Sequence, residues 1–239
     1  MLEQTLKTNI QKIEKNIQEA CETSSRDVDS IKLICVSKSV DNETTKQVVD
    51  QGIVHFAENR MEKLLEKKEF LKEDRHIKWH FIGNLQRRKV KTIINEIDYF
   101  HALDNVKLAS EIDKRAEKQI KCFVQVNVSG EESKQGVSPD SLDEFIDSLS
   151  VFENIVVVGL MTMAPYEASN DELHHIFSDL NRLKTAIESK QLAYAPCKEL
   201  SMGMSRDYDV AISEGATFVR VGSSFFDDDE KEVGTDEFI

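Results

Sequence analysis

Lys38 closes an apolar run, Ile31-Lys32-Leu33-Ile34-Cys35-Val36-Ser37-Lys38, and two turns rich in serine and glycine follow far downstream. These are Leu200-Ser201-Met202-Gly203-Met204-Ser205 and Val219-Arg220-Val221-Gly222-Ser223-Ser224. Side chains alternate along a strand, so Lys38 shares a face with Ile34 and Val36 and emerges at the rim of an apolar interior. Partial desolvation there disfavours the charged ammonium. An uncharged amine attacks an aldehyde. Serine hydroxyls and glycine backbone can hold a phosphate. A ligand that is both aldehyde and phosphate, pyridoxal phosphate, fits the pair.

The other candidates refine this chemistry. Ser205 precedes a helical pattern from Arg206 to Glu214, so its hydroxyl and the first free amides are expected to face an anion. Gly222 lets backbone come close, with Ser223 beside it. The bland alternatives, a helix cap at Ser205 and a simple turn at Gly222, stay open. Arg220 has the parity of Phe218 and Gly222 and points inward, where a guanidinium needs an acceptor because it keeps its proton. Either a structural carboxylate or a ligand nitrogen would serve. Asn59, after a second apolar run, is a ligand donor or a helix cap. His101 reads as a hydrogen-bonded core or rim histidine, and His174-His175 point in different directions on a helix, against a shared metal. The basic stretch Arg87-Arg88-Lys89-Val90-Lys91 reads as a solvated face.

Eight apolar runs must position these residues. Strands are expected at 32–37, 53–57, 78–82, 99–103, 122–129, 156–163, 199–202 and 217–221. Helical periodicity fills the gaps: Leu142, Phe145, Ile146 and Leu149 after Ser138-Pro139, and Leu173, Ile176, Phe177, Leu180, Leu183 and Ile187 after Asn170. Asp104 is expected to cap another helix, and Gly52 and Gly215 to stop helices. Strands too apolar for one-sided exposure, alternating with helices eight times, predict an α/β fold: a single (β/α)8 TIM barrel. An open doubly wound sheet is the alternative, but no glycine-rich dinucleotide fingerprint follows the first strand. Leu2, Leu6, Ile10, Ile13 and Ile17 recur at helical spacing and predict an extra N-terminal helix.

Composition sets the outer limits. At 239 residues with 40% hydrophobic content, one domain over 1–226 is expected, followed by a flexible acidic tail over 227–239. The net charge of -13 disfavours nucleic acid and anionic membranes as partners. No run is long enough to span a bilayer, which takes about 20 residues, and the first helix lacks a secretory core, so a cytoplasmic location is expected. Cys21, Cys35, Cys122 and Cys197 are far apart, without metal-finger or disulfide spacing, and read as buried thiols.

The motifs taken in order resemble the YggS/PROSC family of pyridoxal phosphate homeostasis proteins. They are Val36-Ser37-Lys38, Phe56-Ala57-Glu58-Asn59-Arg60, Trp79 to Gln86, Gln125 to Ser129, Gly159 to Pro165, Leu200 to Ser205, and Val219-Arg220-Val221-Gly222. The resemblance runs from about residue 30 to 226. It implies a barrel like the alanine racemase N-terminal domain, with Lys38 as the Schiff-base lysine. Ser205, Gly222 and Ser223 are then implied at the phosphate, Arg220 near the pyridine nitrogen and Asn59 beside the ring. There are departures from the family pattern: Ala57 stands for Gly, Arg88 for Asn, Ser223 for Thr, and Phe226-Asp227-Asp228-Asp229 for a Phe-Gly-Ala-Arg ending.

The resemblance implies a monomeric cofactor-binding and delivery protein without robust turnover, whose partners include apo forms of enzymes that use pyridoxal phosphate. A racemase or decarboxylase of low activity is the alternative, and a Schiff-base aldolase on a phosphorylated sugar a more distant one. Colour separates the last: bound cofactor is yellow, whereas the aldolase is colourless.

Overall fold

The computed structural model describes residues 2–131 and 135–227. Eight strands, β1 (Lys32–Val36), β2 (His55–Glu58), β3 (Lys78–Phe81), β4 (Tyr99–Leu103), β5 (Ile120–Gln125), β6 (Ile155–Met161), β7 (Glu199–Met204) and β8 (Phe218–Val221), close in sequence order into one barrel. Every pair is parallel, and β8 pairs back onto β1 with Ile34 opposite Arg220. The closed barrel is realised and the open sheet is not.

Nine helices lie between and around the described strands: α1 (Leu2–Thr23), α2 (Asn42–Asp50), α3 (Met61–Phe70), α4 (Val90–Ile93), α5 (Val106–Arg115), α6 (Leu142–Ser148), α7 (Asn170–Ser189), α8 (Tyr208–Ser213) and α9 (Ser223–Phe226). Their starts follow local chemistry. Asp41 caps α2 by accepting from Thr44 N, and Ser138 caps the 3-10 turn that enters α6 with Pro139 in its first turn. Ser169 and Glu172 form a reciprocal capping box on α7, one residue before the Asn170 expected to open it. The cap of α5 is Asn105, whose Oδ1 accepts from Leu108 N at 2.8 Å; Asp104 instead accepts from Asn105 Nδ2. Gly52 and Gly215 follow α2 and α8 as expected.

Several strands are shorter than their apolar runs. β2 starts at His55 because Ile53 and Val54 precede the ladder, and β5 ends at Gln125 where the backbone leaves for a bridge between Val126 and Val137. β7 instead runs on to Met204, because its pairing with β8 shifts register between Ser201 and Met204.

Helix α1 buries Leu6, Ile10, Ile13, Ile17 and Cys21, and packs against α8 and α9, the two short helices after β7 and β8. Polar contacts fix the docking. Asn9 Nδ2 donates to the carbonyls of Phe225 and Asp227, Asn16 Nδ2 donates to the Tyr208 hydroxyl, and Arg26 Nη1 donates to the carbonyls of Ile212 and Ala216 at the end of α8. The extra helix therefore braces the side of the barrel that carries the two serine and glycine turns. Among the described residues no helix is long and apolar enough to cross a membrane. The four cysteines are free and buried, and burial raises their thiol pKa values. The expected acidic tail lies outside the described residues from 228 onward.

Truncating Ile13, 2% exposed at the α1 interface, removes apolar contacts and leaves a cavity. Ile13→Ala should cost about 2–5 kcal/mol and lower the urea midpoint, whereas Lys15→Ala on the exposed face should leave it nearly unchanged. Equal midpoints for the two variants would show that α1 does not stabilise the barrel.

Candidate functional site

The closure of β8 onto β1 makes β7, β8, β1 and β2 neighbours, and their C-terminal ends form one arc of the barrel rim. Ser205 follows β7, Gly222 and Ser223 follow β8, Lys38 lies two residues beyond β1, and Asn59 one residue beyond β2. All six predicted residues, Arg220 included, fall on this arc or just beneath it.

The turns after β7 and β8 are joined directly. Ser205 Oγ accepts from Gly222 N at 3.1 Å and from Ser224 N at 3.4 Å. The alternative that Ser205 caps the next helix is not realised, and the helix expected from Arg206 begins only at Tyr208, after Asp207, whose carboxylate accepts from Met204 N. Gly203 shapes the turn. Its φ is +88°, and an added Cβ would lie 2.6 Å from Ala211 Cβ, so no larger residue fits without displacing α8. Gly222 in turn lies against β1, where an added Cβ would be 3.4 Å from the carbonyl oxygen of Val36. The turn bridged to Ser205 thus lies beside the residue two before Lys38.

Lys38 itself is exposed, not partly desolvated as its strand parity suggested. The strand ends at Val36, and Lys38 sits in a turn above the rim, beyond the apolar lining. What is fixed is its backbone. Ser37 is fully buried, its Oγ donates to Glu58 Oε1 at 2.8 Å, and its carbonyl accepts from Lys67 Nζ at 2.5 Å. Lys67 also pairs with Glu58 at 2.5 Å, both side chains being almost wholly buried. Glu58 Oε2 is buried with no hydrogen-bond partner among the described residues. Glu58 precedes Asn59, so one buried ion pair anchors the chain on both sides of the β1–β2 rim. Asn59 is exposed, and Gly83 must lack a side chain beside it: a Cβ there would come 2.1 Å from the Asn59 carbonyl oxygen.

Arg220 points into the barrel and is 4% exposed. Its Nη1 donates to Ser201 Oγ at 2.6 Å and its Nη2 to the Thr162 carbonyl at 2.9 Å. Among the described residues it makes no ion pair, so the structural carboxylate reading is not realised. Burial lowers its pKa to about 10, with the charge of Asp207 opposing from a distance. Its neutral partners continue into a chain that no single stretch of sequence announces. Ser201 Oγ meets His101 Nδ1 at 2.9 Å, His101 Nε2 meets His80 Nδ1 at 2.8 Å, and His80 Nε2 meets His55 Nδ1 at 2.9 Å. His80 and His101 are wholly buried, with His80 stacked on Tyr99 and His101 on Phe123. His101 is thus a hydrogen-bonded core histidine. Ser201, His80, His55 and Thr162 were missed. The signal was there in the parity of polar residues on apolar strands, shared by His55, His80, His101, Ser201 and Arg220.

The remaining candidates lie elsewhere. His174 contacts Glu214, the residue that ends α8, while Lys89 pairs with Glu62 and Arg88 bonds Gln86 on an exposed face, as expected of the basic stretch.

The residues suit the cofactor inferred from sequence. A serine hydroxyl whose oxygen accepts from two backbone amides keeps its proton for a phosphate, a buried guanidinium with unused N–H donors suits an acceptor nitrogen, and an exposed amine on a fixed backbone suits an aldehyde.

Comparisons with known proteins agree. Residues 8–229 match the family model of the alanine racemase N-terminal domain. The chain is 39% identical over 220 residues to the pyridoxal phosphate homeostasis protein of Aquifex aeolicus, covering 91% of this chain and 95% of the relative. Among solved structures it is similar to an unknown protein from Bifidobacterium adolescentis, with TM-score 0.89, 27% identity and coverage of 94% and 95% of the two chains. It is also similar to PipY of Synechococcus elongatus with pyridoxal phosphate bound, with TM-score 0.77, 28% identity and coverage of 89% and 100%.

Two predictions come from the buried groups. Lys67→Met strands the Glu58 carboxylate and should cost about 3–5 kcal/mol, whereas Glu58→Leu together with Lys67→Met should recover part of that loss. A double variant no more stable than Lys67→Met in urea would refute the pairing. The histidines give a pH dependence. Burial holds His80 and His101 well below their ordinary pKa, next to one another, His55 and Arg220, and burial with Lys32 and Lys78 lowers His55 to about 4 against the opposing charge of Asp98. The unfolded chain binds protons from about pH 6.5 downward while the folded barrel does not, so stability is full above that pH and falls below it. Each of the two wholly buried histidines should cost up to about 1.4 kcal/mol per pH unit below pH 6.5. A urea midpoint unchanged between pH 7.5 and 5 would contradict neutral buried imidazoles.

Proposed function

We propose a function from one premise: this chain belongs to the family of pyridoxal phosphate homeostasis proteins, built on the alanine racemase N-terminal domain. It binds pyridoxal 5'-phosphate at the rim arc and serves intracellular supply of that cofactor as a carrier more than as a catalyst. The observation that supports the reading is that the Ser205–Gly222 bridge lies beside Val36, two residues before Lys38, where only a Cβ's width separates Gly222 from the Val36 carbonyl.

In this reading Lys38 is the covalent anchor. Its Nζ would hold the cofactor through the aldehyde, as a Schiff base. Ser205, Gly222 and Ser223 hold the phosphate, Arg220 donates to the pyridine nitrogen and Asn59 flanks the ring. The cofactor supplies an electrophilic carbon and an electron-withdrawing ring. Arg220, a permanent donor, leaves the ring nitrogen unprotonated and so weakens the ring as an electron sink. Exposure of Lys38 suits exchange with incoming amines, and hence delivery to apo-enzymes. The protein acts in the cytoplasm as a monomer in this proposal, with neither nucleic acid nor membrane as partner, and residues 1–226 act as one domain.

Lys38→Ala should abolish the borohydride-trapped adduct at residue 38, and an adduct on another lysine in the parent protein would sink the assignment. Ser205→Ala loses a charge-assisted hydrogen bond of roughly 1.5–3 kcal/mol, so affinity for pyridoxal phosphate should fall about tenfold or more while pyridoxal is little affected. Equal loss for both ligands would make Ser205 structural. The loaded protein should reactivate an apo-enzyme that uses pyridoxal phosphate without racemising or decarboxylating amino acids. Sustained turnover that is lost in Lys38→Ala would favour a racemase or decarboxylase instead.

A further inference from the structure

Arg220 has donors but no acceptor, and this fixes more than its own two bonds. Ser201 Oγ accepts from Arg220 and is wholly buried, and its other hydrogen-bond neighbour among the described residues is His101 Nδ1. The Ser201 proton must therefore go to that nitrogen, because a buried hydroxyl donor left unpaired is costly. His101 then carries its proton on Nε2 and donates to His80 Nδ1, and His80 carries its proton on Nε2 and donates to His55 Nδ1. The reverse direction would give Ser201 Oγ two donors and leave its own proton without an acceptor.

We propose that Ser201, His101, His80 and His55 form a one-directional chain of neutral Nε2–H imidazoles that positions Arg220 in place of a carboxylate counter-ion. Every dipole of the chain has its negative end toward the guanidinium. The bonds polarise one another in the low-dielectric barrel, so the cation is stabilised without being neutralised. A carboxylate would draw the guanidinium into a bidentate pair and occupy the donors that face the rim. A dipolar chain holds it from below and leaves those donors for an acceptor above. His101 and Ser201 are positioning residues here. That their positioning serves the pyridine nitrogen rests on the function proposed above, whereas the direction of the chain does not.

The chain can be read in protein freed of cofactor, by long-range proton–nitrogen correlation of uniformly labelled histidines. The expected result is the Nε2–H tautomer for His55, His80 and His101 at pH 7.5, together with resolved, slowly exchanging Nη signals of Arg220. An Nδ1–H tautomer at His101 or His80 would overturn the proposal. Ser201→Ala should release the direction of the chain, collapse the Arg220 Nη signals and weaken pyridoxal phosphate binding about tenfold or more. Ser201→Thr, which keeps the hydroxyl, should restore all three. Unchanged Arg220 signals in a folded Ser201→Ala protein would refute positioning. If Ser201→Ala does not fold, the tautomers of the parent and of Ser201→Thr still decide the matter. Failure of Lys38 trapping in the parent protein would remove the cofactor reading alone, because the tautomers and Arg220 signals are recorded without cofactor.

Discussion

A guanidinium cannot shed its charge, and Arg220 is almost wholly buried. That constraint organises the middle of the barrel. The interior of a small parallel barrel is ordinarily filled by branched apolar side chains. Here Arg220 needs acceptors, and it finds a serine hydroxyl on β7 and a carbonyl just beyond β6. The serine in turn needs His101, His101 needs His80, and His80 needs His55 on β2. Aromatic rings fill what space is left: Tyr99 lies parallel to His80 at 4.5 Å, and Phe123 stacks on His101 at 4.4 Å. Polar satisfaction and packing density are met by the same planar side chains.

A second buried charge is handled the opposite way. Lys67 and Glu58 neutralise each other outside the barrel wall, and both reach Ser37. Such a pair adds little net stability, because desolvation offsets the attraction. It does hold two backbone segments in one register at the root of the Lys38 turn. Lys38 is thus exposed at its tip and held at its root.

These two devices assign different roles to the two faces of each strand. Inward parity carries the Arg220 chain, and outward parity carries the Glu58–Lys67 anchor. The rim arc where both end is braced from outside by α1, through Asn9 and Arg26, so the extra helix belongs to the site's support and not only to its stability.

The eight alternating units, the added helix, the inward parity of Arg220 and the presence of Lys38, Asn59, Ser205, Gly222 and Ser223 at strand ends are legible in the order of residues. These are local properties: periodicity, parity and turn chemistry are set by residues a few positions apart. Strand limits were less legible, because the ladder ends where pairing ends and apolar runs continue past it. The folded barrel settles that Ser205 bridges to the Gly222 turn and caps no helix, that Lys38 is exposed, and that Arg220 is answered by a hydroxyl and a carbonyl. His101 and Ser201 are 100 residues apart, and Glu58 and Lys67 meet across the β2–α3 connection. Hydrogen-bond partnership at such separation depends on barrel closure and register, and neither is written in any one window of the chain.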